Sequence, residues 1–175
     1  MYYKIEFDAE NFANLIPSNN TIEWAETFDG RSHIDNWNGM HFTLSLDDDT
    51  RPIPEINIDY MPICSRRVYD AIKTICGDSV EFLPCTVGKD NLEYYIFNIL
   101  GSIDVVDYDK SKYLRFSPNG RIMFFEKIVF KETVTSPMFR IPDLPYAWFF
   151  CNEDMKVLLN KIKPTGIRLT NELFK

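Results

Sequence analysis

The chain has few histidines, few glycines and no closely spaced cysteine pairs. Each of these features argues against a kind of catalytic, metal or cofactor site. The two histidines, His33 and His41, have no carboxylate or cysteine at a spacing typical of catalysis or metal binding. The seven glycines form neither a P-loop nor a GxGxxG motif, so no cofactor is predicted. No CxxC pair occurs, which argues against zinc and favours four reduced core thiols: Cys64, Cys76, Cys85 and Cys151.

An excess of positive charge is also missing. The net charge is −7 at pH 7 and the isoelectric point is about 4.9. A nucleic-acid-binding domain normally carries a basic face, so this charge argues against nucleic acid as a direct partner. It suits attraction to a basic protein, and it fits a mildly acidic cytosolic protein equally well.

Long apolar runs are absent as well. Residues 1–12 lack the cationic start and apolar stretch of a signal peptide. The most apolar window, residues 94–100, is too short to cross a bilayer. The sequence therefore predicts a cytoplasmic protein without membrane contact.

What the chain does contain is enough apolar surface for one domain over residues 1–175, with 45% hydrophobic and 15% aromatic residues. Within it we predict a strand-and-loop region at 1–62 and a core at 63–169. Alternating patterns predict strands at residues 2–7, 41–46, 55–60, 80–87, 92–100, 103–106, 113–116, 121–130, 147–151 and 166–169, with a loop over 8–20. The turn residues after 87 and after 116 favour hairpins. The resulting fold class is α+β, with mostly antiparallel strands and two main helices.

The two helices are predicted at residues 65–75 and 152–162. Ser65 and Asn152 are natural N-caps, and Gly77 lies where a left-handed C-terminal cap is expected. Apolar residues recur at helical spacing in both segments: Val68, Ala71, Ile72, Ile75 and Cys76 in the first, and Met155, Leu158, Leu159 and Ile162 in the second.

Two acidic clusters are candidates for chemistry. Asp47, Asp48 and Asp49 lack the ligand spacing of an EF-hand, which favours a solvated turn or a contact for a basic partner. A second cluster follows a predicted strand, but the sequence supplies neither a nucleophile nor a partner that would shift a pKa. Turn residues are therefore the favoured interpretation of Asp104, Asp107 and Asp109.

The start of the first helix is the other candidate. Ser65, Arg66 and Arg67 have the position of a phosphate site at a helix N-terminus, although a cap with two exposed arginines is the commoner arrangement. Cys64 has the position of an activated thiolate, but no histidine lies near it in the sequence.

Several short motifs occur in a recognisable order. They are Ser65-Arg66 at the helix start, Glu81-x-x-Pro84, Tyr94-x-x-x-Asn98, Ile103-Asp104-x-x-Asp107, Phe139-Arg140-Ile141 and Gly166-Ile167 after the last helix. Over about residues 63–169 this order resembles a family of bacterial immunity proteins from polymorphic-toxin systems, immunity family eleven. The first strand, Tyr2-Tyr3-Lys4-Ile5, is also similar to that family.

The resemblance implies an intracellular α+β protein, not an enzyme, that binds a cognate toxin and blocks it. It carries over no active-site residue and gives no oligomeric state. The acidic charge favours a basic, nucleic-acid-attacking toxin as the hypothesis. The predicted contacts are Asp47, Asp48, Asp49, Asp107 and Asp109. The alternatives are a small hydrolase or transferase using Cys64 or Asp104, and an adaptor subunit of a larger assembly.

Overall fold

The computed structural model describes residues 1–18, 30–45, 50–118, 120–144 and 148–175. Within these ranges the α+β class is confirmed, with two α-helices, α1 (Arg66–Cys76) and α2 (Glu153–Ile162). The strands in the same ranges are β1 (Tyr2–Phe7), β2 (Leu15–Pro17), β3 (His41–Leu44), β4 (Ile56–Asn57), β5 (Ile63–Ser65), β6 (Val80–Val87), β7 (Leu92–Ile99), β8 (Lys112–Arg115), β9 (Ile122–Lys127), β10 (Met138–Phe139), β11 (Phe149–Asn152) and β12 (Ile167–Thr170). Asp47, Asp48 and Asp49, and the predicted strand ends at Leu46 and Ala147, lie outside the described residues.

The larger sheet has six strands in the order β2-β3-β6-β7-β5-β4. Its centre is the β6–β7 hairpin, which pairs without interruption from Val80 opposite Ile99 to Val87 opposite Leu92. Asn91 closes the turn at a φ of 51°, which asparagine tolerates. The predicted hairpin is confirmed, and the pair β3–β6 is parallel.

The smaller sheet has four antiparallel strands in the order β10-β11-β1-β12. The N-terminal strand β1 lies inside this sheet, where Ile5 is opposite Phe149 on one side and Leu169 on the other. Residues from opposite ends of the chain therefore build one sheet.

A separate two-stranded hairpin joins β8 to β9, as the Ser117-Pro118 turn signal predicts. Leu114 pairs with Phe124, and the register shifts between Leu114 and Arg115. Such a bulge places two residues of one strand opposite one residue of the other.

Both helices begin at the predicted caps. The Ser65 side chain accepts a hydrogen bond from the Val68 N–H, and the Asn152 side chain accepts one from the Met155 N–H. Gly77 has the predicted positive φ, 52°. The buried stripes match the sequence pattern at Val68, Ile72 and Cys76 in α1 and at Met155 and Leu159 in α2.

The helices lie between the two larger sheets. Their buried residues share one cluster with Phe97 of the six-stranded sheet and Phe149 of the four-stranded sheet. A second cluster around Ile96 covers the other face of the six-stranded sheet, and a third around Phe150 covers the other face of the four-stranded sheet. Alternate residues of β7 and of β11 thus face two different apolar clusters. Because both faces of these strands are buried, their sequences are nearly continuous apolar runs.

Four strand predictions need correction. The predicted strand 121–130 is shortened to Ile122–Lys127, because the Ile128 N–H donates to the Leu173 carbonyl instead. Residues 15–17, predicted as loop, form the edge strand β2, where Pro17 is tolerated because not every N–H is needed in the ladder. Of residues 103–106, Val106 alone forms a bridge, because the Val105 N–H bonds locally to the Ile103 carbonyl. The predicted strand 55–60 is shortened to β4, because the Asp59 N–H donates to the Asn57 side chain and turns the chain.

The α2 cap gives a stability prediction. We expect Asn152→Ala to lower the free energy of unfolding by about 1–2 kcal/mol, because it removes a cap from the Met155 N–H. It also removes an amide donor to the Thr135 carbonyl. Urea denaturation measures the change, with the exposed Asn160→Ala on the same helix as the control. Equal midpoints for the two variants would contradict the assigned role of the cap.

Candidate functional site

Glu81 is a buried carboxylate at the start of the β6–β7 hairpin, with 8% of its surface exposed. The Ser32 hydroxyl, the N–H groups of His33 and Ile34, and the Asn98 side-chain amide all donate to it. Burial alone would raise the pKa of Glu81, but these four donors hold it below its ordinary value. The carboxylate thereby fastens the 3-10 turn Ile34–Asn36 to the sheet.

Arg140 lies beside this cluster and is also buried. Its Nη2 donates to the Ile99 carbonyl, and its own carbonyl accepts from the Ile103 N–H at 2.9 Å. Gly30 approaches so closely that an added Cβ would lie 2.7 Å from Arg140 Nη2, and its φ of 101° also requires glycine. The motif residues Glu81, Asn98 and Arg140 are therefore buried polar residues that hold loops on the six-stranded sheet.

The two arginines at the start of α1 are bound to carboxylates. Arg66 contacts Asp70 at 2.8 Å and Glu93 at 2.9 Å. Arg67 donates through two nitrogens to Glu55 and through a third to the Ile162 carbonyl at the end of α2. The Arg67 guanidinium lowers the pKa of the Glu55 carboxyl. These pairs connect α1 to its neighbours, and they do not fit the phosphate-site interpretation.

Cys64 does not fit the hypothesis of an activated thiolate. Its side chain is fully buried, and burial raises its pKa far above the usual range. Burial also raises the pKa of the other three thiols to about 12, at Cys76, Cys85 and Cys151. Among the residues that the structure describes, no group of three His, Cys, Asp or Glu side chains is arranged to hold a metal ion.

Two of the predicted acidic contacts lie together in the turn before β8. Asp107 is mostly buried against this turn, where its carboxylate accepts from the Lys110 N–H and contacts Lys110 Nζ at 2.7 Å. This lysine lowers the pKa of Asp107. Asp109 and Asp104 are exposed. The structure thus brings Asp107 and Asp109 together at one surface turn.

The outer face of the β8–β9 hairpin is a feature that the sequence interpretation missed. Four large apolar side chains are exposed on it: Leu114 (49%), Phe116 (58%), Met123 (41%) and Phe124 (36%). We call these four residues the outer hairpin face. A signal for it was present in the consecutive apolar residues 122–125, because a lone hairpin can cover only one of its two faces.

Comparison with protein families gives a match to the immunity protein family (Imm11) over residues 6–172. The chain belongs to this immunity protein family. A comparison with curated proteins found no match. The resemblance stated from the motifs is confirmed, and Imm11 membership supports an immunity function with a cognate toxin as the partner.

Several motif residues of this Imm11 chain have structural roles. Glu81, Asn98 and Arg140 are buried, and the Ser65-Arg66 pair caps and braces α1. These motif residues therefore stabilise the scaffold. Within the described ranges, no helix combines the length and apolar character needed to cross a membrane.

Proposed function

We propose that this chain neutralises its cognate toxin by direct protein–protein contact in the cytoplasm, occluding the toxin's working surface. The observation that carries the proposal is the Imm11 match over residues 6–172. The geometry supports it, because the motif residues Glu81, Asn98 and Arg140 are buried in the fold, while charged and apolar side chains remain on exposed turns and on the hairpin.

Co-expression with the toxin domain encoded by the adjacent open reading frame tests the proposal. We expect a stable complex on size-exclusion chromatography and restored growth of cells that carry the toxin. The proposal is wrong if the folded chain neither binds this domain nor protects the cells.

The acidic contacts remain part of the proposal. Asp107 and Asp109, with Asp47, Asp48 and Asp49, would face a basic patch on a toxin that attacks nucleic acid. Charges at the rim of an interface act mainly by accelerating association. Asp109 is the best placed of the two described residues, because Asp107 is held by Lys110.

We expect Asp109→Asn to slow association with the toxin domain by about two- to five-fold at low salt, and to change dissociation little. The difference should nearly vanish at about 0.5 M NaCl, where charges are screened beyond a few ångströms. Stopped-flow or surface-plasmon kinetics measure both rates. Asp90→Asn is the control, because it removes one negative charge from a different exposed turn, the one between β6 and β7. Equal effects of the two variants would show that net charge matters and that the turn at Asp109 does not.

A further inference from the structure

The outer hairpin face is not used by the fold. The opposite face of the hairpin contributes Ile122 and Phe125 to the third core cluster, and this anchors both strands. Leu114 and Phe124 are cross-strand partners, so these two exposed side chains are neighbours on one surface. Contiguous apolar groups on a soluble protein mark interaction sites, and aromatic residues and methionine are enriched at the centres of interfaces.

The charge around this face is opposite to that of the whole chain. The hairpin itself, residues 112–127, contains four lysines and arginines and one glutamate, in a chain of net charge −7. The Arg121 guanidinium lies 5.0 Å from the Phe116 ring centroid, and Arg115 donates to the Gly120 carbonyl near the hairpin tip. Cationic groups therefore adjoin the apolar side chains directly.

We infer that the outer hairpin face docks into an apolar pocket with an acidic rim on the cognate toxin. The inference rests on the proposed function, and it adds the surface used and the chemistry of the partner. Charge complementarity selects this occupant, because an acidic rim would pair with Arg121 and its neighbours. A second copy of the chain meeting this face through a two-fold axis would place like charges against each other.

Phe116→Ala and Leu114→Ala test the inference with the purified toxin domain from the adjacent open reading frame. We expect Phe116→Ala to weaken binding by about 30-fold, the size of an interface hot spot, and Leu114→Ala by about 10-fold. We also expect Arg121→Glu to weaken binding, mainly at low salt. Calorimetric titration measures affinity, and the unfolding midpoints of all three variants should equal that of the unmodified chain, since these side chains are exposed.

Val157→Ala is the matched control. Val157 is 59% exposed on α2, which lies on the other side of the four-stranded sheet from the hairpin. We expect this variant to bind the toxin domain with unchanged affinity.

The outcomes separate the two proposals. If the unmodified chain does not bind the toxin domain, the proposed function fails and the inference fails with it. If the chain binds and the hairpin variants bind equally tightly, the inference alone is overturned. It is also overturned if sedimentation shows a dimer that Phe116→Ala dissociates. Binding to anionic phospholipid vesicles that is lost in the same variant would overturn it too.

Discussion

Glu81→Ala is expected to lower the free energy of unfolding by about 3–5 kcal/mol, because it removes four hydrogen bonds to a charged acceptor, and such bonds contribute about 1.5–3 kcal/mol each before water replaces some of them. The change removes the buried acceptor of the Ser32 hydroxyl, of two backbone N–H groups and of the Asn98 amide. Each of these donors loses a hydrogen bond to a charged acceptor. The start of the turn Ile34–Asn36 should loosen first, because this carboxylate accepts from the N–H groups of His33 and Ile34 there.

Chemical denaturation at neutral pH measures the loss. Glu132→Ala is the control, since it removes an exposed glutamate and should change stability by less than about 0.5 kcal/mol. If Glu81→Ala does not fold, Glu81→Gln tests the same site. The glutamine amide keeps one acceptor oxygen, but its NH₂ group then faces N–H and O–H groups that need an acceptor. We expect this variant to lower the free energy of unfolding by about 2–3 kcal/mol. Stability of Glu81→Gln equal to that of the unmodified chain would contradict the role assigned to the carboxylate.

The pH dependence gives an independent readout of the same carboxylate. Because the donors hold the folded-state pKa of Glu81 below its ordinary 4.5, its contribution is complete above about pH 4.5. The contribution is lost as the pH falls through the lower folded-state pKa. Glu81→Gln cannot titrate, so its stability should fall less steeply than that of the unmodified chain below pH 4.5. Parallel curves for the two proteins would contradict this assignment.

Phe150→Ala is the second large expected effect, a loss of about 3–5 kcal/mol in the free energy of unfolding. Phe150 lies on β11 with no exposed surface. Its ring centroid is 5.6 Å from that of Phe139, 5.8 Å from that of Phe174 and 6.3 Å from that of Trp148. Removing the ring leaves a cavity lined by three aromatic side chains, which collapse poorly into an irregular space.

Phe116→Ala provides the matched comparison, because it makes the same chemical change at an exposed position. We expect it to change stability by less than about 0.5 kcal/mol. If Phe150→Ala is too unstable to purify, Phe150→Leu tests the same packing, with a smaller expected loss in the free energy of unfolding. A Phe150 variant as stable as its Phe116 counterpart would contradict the packing described for the third cluster.

Elements with local signals were predictable from the sequence. The caps Ser65 and Asn152 were recognisable because a helix N-terminus needs a side-chain acceptor within three residues. The hairpins β6–β7 and β8–β9 were recognisable because their turns lie between strongly patterned strands. The edge strand β2 gave no such signal, since three residues ending in Pro17 are too few to show alternation.

The candidate site was less predictable, because it depends on contacts between distant residues. Glu81 and Asn98 were recognised as parts of separate motifs, but Ser32, which donates to Glu81, belongs to a segment that looked like a plain loop. The outer hairpin face was hidden for a related reason. Alternation shows which residues share a face, and only the tertiary structure shows whether another element covers that face.

The position of β1 has a consequence for how the protein is made. Its partners on both sides, β11 and β12, are about 140 residues or more further along the chain, and ribosomes add about 5–20 residues per second. After its own synthesis, β1 must therefore wait for about 7 s or longer before it can be paired. Until then its sheet edges are open to other chains, and formation of this long-range sheet should be the slow step in folding. The four-stranded sheet can therefore be complete only after β12 has been synthesised and has paired with β1.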